Sequence, residues 1–121
     1  VAIIALLALC AAAPAPDSDD YADLHPYSKW IEAQKNEAIG SCCSLADGRV
    51  VDWRITGDHY EVRFLHPESI QGQVQPEAGH WYAVDDRAVL HTPNPTGKAV
   101  AWWYARTGYG PIRCFSPAEF Y

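Results

Sequence analysis

Residues 49–65, "RVVDWRITGDHYEVRFL", contain two runs that alternate with a period of two, and that period decides the fold class. In the first run Val51, Trp53 and Ile55 fall on one side and Asp52 and Arg54 on the other. In the second, Tyr60, Val62 and Phe64 oppose Glu61 and Arg63. The intervening "TGD" is a short connection containing glycine, so the stretch predicts an antiparallel hairpin with one buried and one wet face. Further strands are expected at "GHWYAV", "AVLH", "AVAWWYA" and "PIRCF". Residues 66–78, with two prolines and a glycine and no sustained period, read as a loop. "TPNPTGK" suits a turn, with Asn94 first, Pro95 second and Gly97 fourth. One helix is expected in "HPYSKWIEAQKNEAIGS": Ser28 caps it, Trp30, Ile31, Ala33 and Ala38 form its apolar stripe, and Gly40 stops it. The fold class is therefore mainly β, a small antiparallel sheet or open barrel of about five to six strands with one N-terminal helix packed on it.

Residues 1–13, "VAIIALLALCAAA", are apolar throughout, and "PAPDSDDYAD" then turns abruptly acidic. The run is too short for a membrane-spanning helix and fits the apolar region and small-residue cleavage zone of a secretory signal peptide. The expected organisation is a signal peptide over 1–15, an acidic spacer over 16–26 and a single β-rich domain over 27–121. No basic stretch and no Met precede Val1, so the start is expected upstream. The net charge is −6, and Asp17, Asp19, Asp20 and Asp23 contribute four of those negatives in the spacer. The remainder is nearly neutral and lacks the basic stripe of a nucleic-acid binder.

A periplasmic or secreted location makes disulfides the default state of cysteine. Removal of the leader leaves Cys42, Cys43 and Cys114. Adjacent cysteines seldom bond each other, so the expected bridge joins Cys42 or Cys43 to Cys114 and leaves one thiol over. Closing a loop of about seventy residues is worth roughly 4 kcal/mol in the chain-entropy model. No metal site is expected, because a zinc site needs about four ligands at workable spacing. The chain has neither a C-x-x-C nor an H-x-x-x-H pair, and His25, His59, His66, His80 and His91 fall on separate elements. No cofactor is expected either, since phosphate-binding and nucleophile-elbow motifs are missing.

"SCCSLADGRVVDWR", "NPTGKAVAWWY" and "IRCFSP" together resemble a family of small exported proteins of α-proteobacteria and their prophages. That family carries a Cys-Cys-x-x-x-Asp-Cys-Arg segment, Trp-rich strands and an Arg-Cys-Phe-x-Pro ending. The resemblance runs roughly from Tyr27 to Pro117 and is most specific at the paired cysteines and the terminal "RCF". It lends no activity, cofactor or catalytic residue. Gly48 stands where the family pattern has its third cysteine, so the resemblance implies one disulfide here in place of two.

Two kinds of side chain remain as candidates for function. Asp47, Asp52, Glu61, Asp85 and Asp86 include enough carboxylates for a glycosidase pair, which needs two of them about 5–10 Å apart across a cleft. Asp47 reads instead as a turn former before Gly48, and Asp52 and Glu61 as cross-strand partners of the nearby arginines. The aromatics are the stronger signal, with five tryptophans and seven tyrosines in 121 residues. Adjacent strand residues point to opposite faces, so Trp81 and Tyr82 cannot both point inward. In "AVAWWYA", Val100, Trp102 and Tyr104 form the core face, and Trp103 stands on a floor of Ala99, Ala101 and Ala105. The expected arrangement docks the helix on that floor and buries Trp103. The alternative is an exposed platform of Trp103 with Trp81 or Tyr82 for a sugar ring, a peptide or a partner protein. The function expected from the sequence is that of a small exported, non-enzymatic binding or structural module of the cell envelope, with peptidoglycan or an envelope protein as partner. The alternatives are a small envelope hydrolase using Asp or Glu residues near the 66–78 loop, and a phage-related structural protein.

Overall fold

The computed structural model describes residues 24–36, 40–42, 47–105, 108 and 110–118. The expected leader, the spacer up to Asp23 and Cys43 lie outside the described residues. A 3-10 turn at His25–Tyr27 runs into helix α1 (Ser28–Ala33). The short strands β1 (Lys35–Asn36) and β2 (Gly40–Ser41) pair with each other. Five longer elements follow: β3 (Asp47–Thr56), β4 (His59–Phe64), β5 (Tyr82–Val84), β6 (Val100–Trp103) and β7 (Ile112–Ser116). They form one antiparallel half-barrel in the order β5-β4-β3-β6-β7.

The predicted hairpin is the spine of this sheet. β3 and β4 pair from Val51 opposite Phe64 to Thr56 opposite His59. The turn between them places Gly57 at φ 65°, left-handed backbone that a residue with a Cβ adopts only at a cost. β3 is ten residues long and serves two neighbours: its second half pairs with β4, and Asp47–Val50 pair with β6. Strand alternation then sends side chains to two faces. On the concave face Val51, Val62, Phe64, Ala101, Trp103 and Phe115 share the main core. On the convex face Val50, Val100, Trp102 and Cys114 meet Leu24 and Ile31 from the N-terminal segment.

All of β6 is therefore buried, and this corrects the expected docking of the helix. The helix covers the Trp102 face, with Trp30 and Trp102 ring centroids 6.0 Å apart. Ala99, Ala101 and Trp103 turn instead into the concave core, while Ala105 is exposed. Trp103 needs no helix because Phe64 and Tyr82 meet its ring edge-on at 5.5 and 5.1 Å.

The helix is also shorter than its apolar stripe implied. It ends at Ala33, which is exposed, with no side-chain cap from Ser28; Gly40 begins β2 rather than stopping a helix, and Ala38 lies outside the described residues. The cause is competition for the backbone after residue 33. Gln34 adopts extended geometry, its amide donates to the Trp30 carbonyl at 2.8 Å, and its own carbonyl accepts from Cys42 N–H at 3.0 Å. Leu24, which composition assigns to the spacer, is buried in the convex cluster.

Two local expectations also change. Asp47 and Gly48 open β3 opposite Trp103 and Trp102, rather than making a turn. "AVLH" contributes a single parallel bridge, Val89 to Phe115, not a strand. The 94–97 turn forms as expected, with Asn94 Oδ1 accepting from Thr96 N–H at 2.9 Å and Gly97 at φ 73°.

The disulfide joins Cys42 to Cys114 across 72 residues. Cys114 is the register partner of Trp102 on β6, so the bond fastens the chain leaving α1 to the middle of the convex face. Replacing Cys42 and Cys114 together by serine is expected to lower unfolding free energy by about 4 kcal/mol in chemical denaturation. An unchanged transition midpoint would contradict this role. Gly48 offers a finer test. A Cβ there would sit 3.1 Å from Trp102 Nε1, and Trp102 is fully buried. Gly48→Ala is therefore expected to destabilise by about 1 kcal/mol through overpacking, although it removes a flexible residue from a strand.

Candidate functional site

The convex face divides into two parts. The N-terminal segment covers the part made by β6, β7 and the first half of β3. The second half of β3, with β4 and β5, carries polar side chains, and the register sets how they meet. Asp52 faces Arg63, Arg54 faces Glu61, and Glu61 faces Ala83 on β5. Both opposite-charge pairs form: Arg63 Nη2 donates to Asp52 Oδ2 at 2.7 Å, and Arg54 Nε donates to Glu61 Oε1 at 2.7 Å. Thr56 adds a hydroxyl to the same Glu61 oxygen at 2.9 Å. The Arg54 hydrogen bond, followed by that from Thr56, holds the Glu61 carboxyl below its usual range.

Trp81 precedes β5 and shares the side of the sheet occupied by Ala83, whose small side chain leaves space beside the arginines. The guanidinium carbons of Arg54 and Arg63 lie 4.0 and 4.7 Å from the centroid of the Trp81 ring. Cation–π contacts at exposed sites are each worth about 0.5–1 kcal/mol. Here their more important effect is positional. Each guanidinium is held by a carboxylate across the hairpin and in turn fixes the indole. The partly buried ring thus sits against two arginines whose charges are balanced by Glu61 and Asp52.

The other two sequence candidates are not on this face. Tyr82 points inward against Phe64 and Trp103, packs against a tilted His80 ring at 4.3 Å, and accepts Glu77 N–H on its hydroxyl at 2.8 Å. Trp103 is 3% exposed, and its indole N–H donates to the Val74 carbonyl at 2.7 Å. In place of a platform of Trp103 with Trp81 or Tyr82, Trp103 is buried, Tyr82 is partly buried against the same core, and Trp81 lies on the opposite face, because strand parity separates neighbours.

The 66–78 loop is fastened at several points. Gln73 accepts from Ala105 N–H at 3.2 Å and donates to the Trp103 carbonyl at 3.3 Å. Gln75 donates to the Ile70 carbonyl at 2.7 Å. Arg49, 1% exposed, donates through Nε to Ser69 Oγ and through Nη2 to Ser69 O, both at 2.8 Å. Sequence reading passed over Arg49, although its parity with Val51 places it on the concave face. Between these anchors Val74 is 74% exposed.

The hydrolase alternative needs carboxylates free to exchange protons. Asp52 and Glu61 are occupied as described, and Asp85 holds Arg87 through Nε at 2.9 Å and Nη2 at 3.0 Å. The Arg87 side-chain hydrogen bond, with the Arg87 backbone N–H, pulls the Asp85 carboxyl down to about 2. Asp86 lines a separate cleft on the concave side. Among the described residues no group of three or more His, Cys, Asp or Glu side chains is placed to hold a metal ion.

Asp85 is more acidic folded than in an ordinary carboxyl, so its contribution to stability is present above the ordinary value near 3.8 and is lost as pH falls through about 2. NMR titration is expected to place its midpoint near 2 and to return it toward 3.8 in Arg87→Ala. An ordinary midpoint in the unmodified protein would contradict the bidentate pair.

Comparison of the chain with protein-family models, with curated proteins and with solved structures finds no match.

Proposed function

We propose that this chain acts outside the cytoplasm, in the periplasm or after secretion, as a small non-enzymatic binding module of the cell envelope, and that its ligand is a glycan strand of the peptidoglycan kind. The observation that carries the reading is the Trp81 ring held over two ion-paired arginines on an otherwise polar sheet face. An indole fixed in this way presents a flat apolar surface to the C–H face of a sugar. The carboxylates and guanidiniums at its rim supply acceptors and donors for hydroxyl groups. Because the ring is already immobilised, little side-chain entropy is lost on binding. The Cys42–Cys114 disulfide supports an oxidising compartment, and the apolar stretch at residues 1–13 supports export. Among the described residues no helix is long and apolar enough to cross a membrane. The resemblance to exported α-proteobacterial and prophage proteins agrees with this location. Pairing of Asp52, Glu61 and Asp85 with arginines favours binding over hydrolysis, since a general acid must retain its proton near working pH.

Titration with solubilised peptidoglycan fragments, followed by tryptophan fluorescence, is expected to give a saturable shift. Trp81→Ala should weaken it about tenfold or more, as loss of a central aromatic anchor does. Tyr82→Phe should leave affinity unchanged, because the Tyr82 ring packs on the opposite face of the sheet from Trp81. Absence of saturation in the unmodified protein, or equal affinity in Trp81→Ala, would overturn the reading.

A further inference from the structure

The concave side of the sheet holds a second feature, separated from Trp81 by the thickness of the sheet. Tyr60 alternates with Glu61, so its ring points away from the arginine face and forms one wall of an open cleft of about 410 Å³. Asp86, Val89, His91, Thr92 and Pro117 contribute to the remaining walls. The volume lies in the range of about 300–1,000 Å³ that accommodates small organic ligands.

Charge is distributed unevenly in this cleft. Its lining contains one carboxylate, Asp86, and one imidazole, His91, but neither lysine nor arginine. The nearest cation in sequence, Arg87, is engaged by Asp85 through two side-chain hydrogen bonds, while the Asp85 carboxylate also accepts Arg87 N–H at 2.9 Å. Asp86 makes no ion pair among the described residues. Of two adjacent aspartates, one is paired with arginine and the other, an exposed residue, lines the cleft without an ion pair among the described residues.

Both walls are fixed before any ligand arrives. The Tyr60 ring packs on Phe115 at 5.2 Å and on Trp53 at 5.8 Å. The opposite segment is tied by Leu90 N–H to the Phe115 carbonyl at 2.8 Å and by Thr92 Oγ1 to Gln34 Oε1 at 2.8 Å. The Asn36 amide donates to the Arg87 carbonyl. A metal cation is poorly suited to the site, since hard divalent ions need about six oxygen ligands. An ammonium group on a carbon skeleton fits better, because it needs one carboxylate and gains from an aromatic face.

We propose that this cleft binds an organic ammonium ion, with the charged nitrogen at Asp86 and the carbon skeleton against Tyr60, Val89 and Pro117. The site does not depend on the glycan reading of the Trp81 face. Amide chemical-shift titration with n-butylammonium, and in parallel with the isosteric neutral 1-butanol, tests it directly. The expected result is saturable shifts confined to Tyr60, Asp86, Val89 and Thr92 with the ammonium probe alone. Asp86→Asn should weaken binding about tenfold, Tyr60→Phe should retain it, and Tyr60→Leu should lose most of it. The amide spectrum of each variant reports whether the fold is retained, and the Asp86 substitution lies at an exposed position. Equal binding of 1-butanol, unchanged affinity in Asp86→Asn, shifts located around Trp81, or no saturable shift would each overturn the proposal.

Discussion

Cys42–Cys114 is the constraint on which the arrangement of this small domain depends. A half-barrel built on β3 has one face that closes on itself through Phe64, Trp103 and Phe115, and another that carries Trp102 outward. Burying Trp102 needs a cover, and α1 has six residues, too few to be stable as an isolated helix. The covalent bond keeps that short segment on the Trp102 face without requiring it to persist alone. Gln34, Asn36 and Trp30 then connect the cover to the rest of the chain, through the Cys42 N–H, the Arg87 carbonyl and the Pro93 carbonyl. The same tether limits the helix, because the chain must turn back to reach Cys114.

With one part of the convex face covered, the rest is left to charge pairing and Trp81. The two sides of β4 thus present different chemistry from alternate residues. Glu61 and Arg63 belong to an ion-paired network beside an indole, whereas Tyr60 lines a cleft that also contains Asp86. The thin sheet separates the two surfaces, and neither requires the other to be occupied.

The hairpin, its charge pairs and its two faces were legible in the sequence because a period of two determines them directly, except that Ile55, near the turn and expected on the buried face, is 64% exposed. Val51 and Phe64 went in, and Asp52 met Arg63, as alternation requires. The inward turn of Tyr82 and outward turn of Trp81 follow the same rule. The side on which the helix docks was not legible, because both faces of "VAWW" are buried and an alanine floor suits a core sheet as well as a helix. Helix length was obscured by the disulfide partner, which lies 72 residues away. Arg49 was hidden by the habit of reading charge as surface, although its parity was visible. The cleft had no local signature, since Tyr60, Asp86, His91 and Pro117 converge only through the fold.

The loop carrying Val74 has a consequence for resistance to peptidases. An exposed aliphatic side chain on a surface loop is ordinarily an invitation to cleavage, since loop tips are preferred sites of nicking. Cleavage requires the backbone to enter a narrow groove with its carbonyl presented to the enzyme. The Val74 carbonyl is turned inward and held by the indole of a core tryptophan, while Gln73 and Gln75 fasten the chain on either side. To be cut there, the loop must first detach from Trp103, so its resistance to proteolysis is set by the stability of the concave core rather than by the exposure of its tip.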